Sequence, residues 1–255
     1  MDFMSNQSTD SADETGRSEG GLQVLPVYVL CDEGGSMAGA SIDTVNEVIE
    51  QLFTALHADP VFDGKVRVSI IAFSDTARVV LPLTQLINVP TVPGCTARGS
   101  SSYSAAFKKL REQIDIDVPN LKAQGSHVQR PVVFFMSDGE PNQEPWEVDY
   151  KLLIDPTNQY RPLIISFGVE GANPGTIKQI ATHVNKAGGK PFACIAESGT
   201  FTGPAIIEMI RHCHDSFSSA YIEAEDSPRY PVVRLPDGGV EIRGGSCRPS
   251  IDWRQ

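Results

Sequence analysis

The chain has 255 residues, a formal net charge of −11 and a pI near 4.9, so it offers no basic stripe to neutralise phosphates and nucleic-acid binding is excluded. Hydrophobic residues make up 40% of it, enough for one sizeable core with tails. Five scattered cysteines (Cys31, Cys95, Cys194, Cys213 and Cys247) form no Cys-x-x-Cys pair and read as reduced thiols of a cytoplasmic protein. No apolar run is long enough to span a membrane, and no basic-plus-apolar leader opens the chain, so no membrane partner is expected.

In chain order, residues 1–21 are rich in Ser, Asp, Glu and Gly and are expected to be a disordered tail, followed by a domain over 22–220. Val24–Cys31 has the composition of a buried strand. Ser41–Ala58 places Ile42, Val45, Ile49, Leu52, Phe53 and Leu56 on one helical face. Lys65–Phe73 and Ala77–Leu83 are β-rich and parted by Ser74-Asp75-Thr76, which predicts a hairpin and one antiparallel strand. Pro90, Pro93 and Gly94 mark a loop leading to Ser100-Ser101-Ser102. Ser104–Ile114 is predicted as a helix, and Asp115–Gln129, with Pro119 and Gly125, as a loop with at most a short helical extension. Arg130–Met136 is the predicted central strand. Trp146–Ile154 (helix), Arg161–Gly168 (strand), Gly175–Lys186 (helix), Pro191–Ala196 (strand) and Pro204–Ser219 (helix) continue the alternation. Such alternation predicts an α/β fold with a mostly parallel sheet covered on both faces. Residues 221–255 read as an extension in which Val232–Leu235 and Val240–Arg243 flank Asp237-Gly238 as a small hairpin, too short to fold alone.

Two predicted strands end alike. Val27–Cys31 runs into Asp32-Glu33-Gly34-Gly35-Ser36-Met37, and Val132–Met136 into Ser137-Asp138-Gly139-Glu140. Either aspartate alone is explained as a cap of the helix that follows. Together, with hydroxyls beside them at the C-terminal edge of a sheet, they suit a hard divalent cation such as Mg²⁺.

These residues resemble the von Willebrand factor A family and its metal-ion-dependent adhesion site, whose pattern is Asp-x-Ser-x-Ser, a later Thr and a distal Asp. Asp32 and Ser36 match the ends of the triplet, Gly34 replaces its middle serine, and Asp138 matches the distal Asp. The Thr position falls at Ser101, with Ser100 and Ser102 as alternatives. Glu33, at a variable position, is expected to point to solvent, the alternative being that it compensates for the missing serine as a nearby acidic group. The resemblance implies a doubly wound sheet of six strands with one antiparallel edge strand, the first and fourth strands being neighbours. It implies a site for Mg²⁺ (or Mn²⁺ or Ca²⁺) formed by Asp32, Ser36, Ser101 and Asp138, completed by a carboxylate from a partner protein. Within the family, Leu25–Thr84 looks most like bacterial tellurite-resistance, TerY-type proteins, which implies a cytoplasmic stress-response or signalling role beside kinase and phosphatase partners.

Two other classes stand beside this reading. Gly34 favours a metal-independent scaffold with a decayed site. Gly34-Gly35-Ser36-Met37-Ala38 approximates a hydrolase nucleophile elbow with Ser36 as nucleophile, needing a histidine from His57, His127, His183, His212 or His214. His212-Cys213-His214 lies on a predicted helix, where residues two apart face different ways and form no metal cluster. Cys31, inside an apolar strand, reads as a core thiol.

Overall fold

The computed structural model describes residues 21–58, 60–62, 64–169, 171–182, 193–195, 233–234 and 241–242. Strand β1 (Gln23–Asp32) is buried along all but its first residue, as a strand covered on both faces must be. Helix α1 (Ala40–Ala58) follows, then the hairpin of β2 (Val66–Phe73) and β3 (Ala77–Gln85). Helix α2 (Tyr103–Ala123), β4 (His127–Val128), β5 (Val132–Ser137) and α3 (Glu147–Ile154) come next. Then β6 (Leu163–Gly168), α4 (Pro174–Ile180) and β7 (Ala193–Ile195) complete the layers. The strand order is β3-β2-β1-β5-β6-β7, with β4 paired to the start of β1. All these pairings are parallel except β2 with β3, the predicted antiparallel edge, whose register shifts between Val68 and Ile71.

Alternation along the strands divides the core in two. Val27, Val29 and Cys31 of β1 and Phe134 and Met136 of β5 pack with Val45, Ile49 and Leu52 of α1. Tyr28 and Leu30 of β1 and Val133 and Phe135 of β5 face the other way, into Phe107 and Leu110 of α2, Tyr150 of α3 and Ile177 of α4. The sheet therefore grows to one side of β1 with β2 and β3, and to the other with β5, β6 and β7. The crevice at the C-terminal ends of β1 and β5 is the switch point where open α/β sheets take ligands.

Two expected helix ends need correction. Helix α2 does not stop at Ile114 but runs to Ala123 with Pro119 inside it. Proline removes one backbone donor, but the buried Val118 and Leu121 and the bond from Tyr28 Oη to Asp117 (3.0 Å) hold the last turns on the sheet. The helix ends at Gly125, whose φ of 82° only glycine adopts readily. Helix α4 stops at Ile180, short of Lys186, because Thr182 is drawn onto β6: its hydroxyl accepts from Ile164 N at 2.8 Å and its amide donates to Ile164 O at 3.0 Å.

Residues 1–20, most of the expected tail, and the Pro204–Ser219 helix lie outside the described residues. In the C-terminal segment, β8 (Val233–Arg234) and β9 (Glu241–Ile242) pair antiparallel, Val233 opposite Ile242. Among the described residues no helix is long and apolar enough to cross a membrane.

Candidate functional site

Register brings the two aspartates to one place. Cys31 pairs with Met136, so the next residues, Asp32 and Ser137, end side by side at the sheet edge with Asp138 following. Asp32 is fully buried. Its Oδ1 accepts from Ser101 Oγ at 2.8 Å and from the Gly34 amide at 2.8 Å. Its Oδ2 accepts from Ser137 Oγ at 2.6 Å. Ser137 has one proton and spends it on Asp32, so the Tyr103 hydroxyl, 2.5 Å away, is the donor of that second bond. Tyr103 is suited to this, since burial first and the Asp32 charge second hold its hydroxyl protonated.

Asp32 has only neutral donors among the described residues. Among the described residues no cationic side chain pairs with it, and burial pushes its carboxyl up to about 7, with the nearby Asp138 charge acting in the same direction. The bonds from Ser137, Gly34 and Ser101 hold it back only in part. Asp138 is 8% exposed; its Oδ1 accepts from the Glu140 amide at 3.0 Å. Ser36 is exposed on the single helical turn Gly35–Met37, directly before α1. Two carboxylates and two hydroxyls, all oxygen donors, fit a hard divalent ion, and the excess negative charge at Asp32 is what such an ion would relieve. Among the described residues there is no group of three or more His, Cys, Asp and Glu that forms a metal cage.

The serine cluster divides its labour. Ser101 reaches Asp32. Ser100 instead bonds Asp75 Oδ1 through its amide (3.0 Å) and hydroxyl (2.6 Å). Ser102 caps α2 at the Ala105 amide (3.2 Å) and donates to Glu144 Oε2 at 2.9 Å. The loop turns at Gly99, φ 63°, where a Cβ would lie 2.3 Å from Asp75 Oδ2.

Gly34 has φ −54° and ψ 154°, open to any residue, but a Cβ there would sit 1.9 Å from Ser101 Oγ. Ser101 thus fills the space a side chain at position 34 would need.

Glu33 overturns the expectation that it faces solvent. Its side chain is 1% exposed. Arg78 donates to it through both terminal nitrogens (2.6 and 2.9 Å), Arg98 at 2.8 Å, and the Thr96 amide at 3.0 Å. Burial raises its carboxyl, but these donors outweigh that and hold it below the usual carboxylate range. Sequence reading missed Glu33, Ser137 and Tyr103. Ser137 was detectable, being the last residue of a strand in register with Asp32; nothing local announces that Arg78 and Arg98 converge on Glu33.

The rival chemistries find little here. His57 closes α1 and His127 opens β4, both at the sheet edge opposite Ser36; His183, His212 and His214 lie outside the described residues. Cys31 is fully buried, its thiol held protonated by a hydrogen bond with Cys95 and by burial.

The architecture is that of a doubly wound α/β domain, with Asp32 and Asp138 at the β1–β5 switch point. The chain belongs to the von Willebrand factor type A domain family, whose model matches residues 27–193. Among solved structures it is similar to manganese-loaded TRAP of Plasmodium vivax, with TM-score 0.50, 16% identity, 75% of this chain and 73% of that one covered. It is also similar to the pilus adhesin SpaC from Lactobacillus rhamnosus GG in its open conformation, with TM-score 0.54, 11% identity, and 77% and 30% coverage. Proximal thread matrix protein 1 from the mussel byssus gives TM-score 0.48 and 16% identity over 78% of this chain; the chain spans 49% of that protein. At these identities the likeness is one of fold. Among curated proteins none matches the chain.

Proposed function

We propose that this chain is a non-enzymatic, metal-ion-dependent protein-interaction domain. Asp32, Ser36, Ser101 and Asp138 would hold Mg²⁺, or Mn²⁺ or Ca²⁺, and a carboxylate from a partner protein would complete the shell. The ion, when bound, supplies a positive point able to bridge two negative proteins. The observation carrying this reading is the Asp32 carboxylate, buried beside Asp138 at the switch point, whose donors among the described residues are all neutral. The family supports a binding role, and TRAP of Plasmodium vivax is described as manganese-loaded.

The chain's own residues prepare the place. Ser137 and the Gly34 amide orient Asp32, Tyr103 fixes Ser137, and Ser101 is already within 2.8 Å of the carboxylate it would share the ion with. Isothermal calorimetry with Mg²⁺, Mn²⁺ and Ca²⁺ tests the reading. Wild type is expected to bind, and Asp138→Ala to stay folded and lose binding, since it removes one of two charged ligands. Equal binding by both proteins would place the ion elsewhere.

A second reading, a metal-independent scaffold, is favoured by Ser101 Oγ, which satisfies Asp32 without an ion and fills the space beside Gly34. Absence of heat with all three ions in wild type selects it. The cytoplasmic, TerY-like assignment, with kinase or phosphatase partners, is a narrower proposal. It rests on the likeness over Leu25–Thr84 and on the buried free thiols Cys31 and Cys95, and a partner pull-down with and without chelator tests it.

A further inference from the structure

We propose that Glu33 is a positioning residue: its buried contact with Arg78, Thr96 and Arg98 sets the loop that delivers Ser101 to Asp32. This rests on the metal-site reading for its functional meaning, though not for its structural part. Residues 89–102 contain no helix or strand, so their conformation must be fixed by contacts. Glu33 supplies those at the loop's centre. Its carboxylate accepts from the Thr96 amide and the Arg98 guanidinium, and its carbonyl accepts from the Arg98 amide. The same carboxylate takes both terminal nitrogens of Arg78 on β3, and the Glu33 amide donates to Phe73 O on β2 at 2.7 Å. Immediately after Arg98 the loop meets the site: Gly99 O accepts from Gly35 N at 2.9 Å, Ser102 N donates to Ser74 O at 2.8 Å, and Ser101 lies between.

A carboxylate is an expensive way to fill this space. Burying it is costly unless the geometry is very good, and an apolar side chain would pack there at less cost. What the charge adds is direction: several donors from two chain segments must point at one spot, and a bidentate guanidinium is the most demanding of them about angle. Arg78 and Arg98 remain 44% and 51% exposed, so they are held from one end only. They also leave the cluster one positive charge in excess, right beside a site meant for a cation. Electrostatics alone would make that cluster a handicap; positioning gives it a purpose.

The two accounts predict opposite signs for Arg78→Gln. If the cluster acts only through its field, removing a positive charge tightens Mg²⁺ binding. If it positions the loop, removing the bidentate partner weakens Mg²⁺ binding, by about tenfold for a charge-assisted bond. Calorimetry with Mg²⁺ on wild type and Arg78→Gln reads this. Hydrogen exchange on the ion-free proteins reads the structural part independently. The amides of Gly35, Ser102 and Asn142, which bond across the loop, are expected to exchange faster in Arg78→Gln, while those of β5 stay protected. Weaker Mg²⁺ binding with faster loop exchange supports the assignment. Unchanged or tighter Mg²⁺ binding overturns it. If wild type binds no ion, the metal reading has failed on its own, and unchanged loop exchange then overturns the positioning role as well.

Discussion

Asp32 carries a charge in a place that resists one, and its titration should show. Its folded-state value of about 7 lies above the roughly 3.9 of an unfolded aspartate. Between those values the ion-free folded protein holds a proton that the unfolded chain has released. Its contribution to stability is therefore present at low pH and is lost as pH rises through that window. A divalent ion cancels the penalty only once the carboxyl is ionised. The gain in melting temperature from saturating Mg²⁺ should accordingly be larger at pH 8 than at pH 5.5, and a gain independent of pH would remove Asp32 from the site. Gly34 bears on the same carboxylate. Its backbone would admit serine, but the new Cβ overlaps Ser101 Oγ. Gly34→Ser should therefore turn Ser101 away from Asp32 and lower the ion-free stability by about 1 kcal/mol, the worth of one buried hydrogen bond. Mg²⁺ affinity should fail to rise in Gly34→Ser, because one hydroxyl displaces the other, and should fall in Ser101→Ala, which deletes a proposed ligand without replacing it. A gain in Gly34→Ser would show that both fit. None of this competition was readable from the motif, because it arises between residues far apart in the chain.

At the scale of elements, strand and helix identities were readable from periodicity and the ends were not. β1, β5 and β6 announce themselves as apolar runs because parallel strands are buried on both faces. The end of α2 was hidden by Pro119, a residue that ordinarily stops a helix, and here tertiary packing of Val118 and Leu121 overrides it. That override has a measurable cost. Pro119→Ala restores a backbone donor inside the helix, while freeing the unfolded chain somewhat. Urea unfolding should show a net stabilisation of about 1 kcal/mol or more; a loss would mean that the bend made by Pro119 is itself needed to seat the last turns. The α4 end was hidden differently, by Thr182 exchanging bonds with Ile164, a partner that no local pattern names.

For the molecule as a whole, the order of strands was the decisive quantity, and periodicity could not supply it. Alternation implied a parallel sheet; only the likeness to a family placed the first and fourth long strands side by side, as β1 and β5 are. That one adjacency brings Asp32 to Ser137 and Asp138, and so turns two unremarkable strand ends into a candidate site. Asp32, Ser101 and Asp138 were thus legible through motif and likeness. Of the residues that aim them, Ser137 was within reach as the end of a strand in register with Asp32, whereas Glu33 and Tyr103 were not, because each acts through contacts with distant segments.

The β3 margin has a consequence for how other proteins can approach. An outermost strand is normally an invitation to a neighbour, which can add its own strand and extend the ladder. Here the pairing slips between Val68 and Ile71, and Pro82 stands just beyond Leu81 with no amide hydrogen to offer. An incoming strand would find an interrupted row of donors along that side. Association by sheet extension is disfavoured along β3.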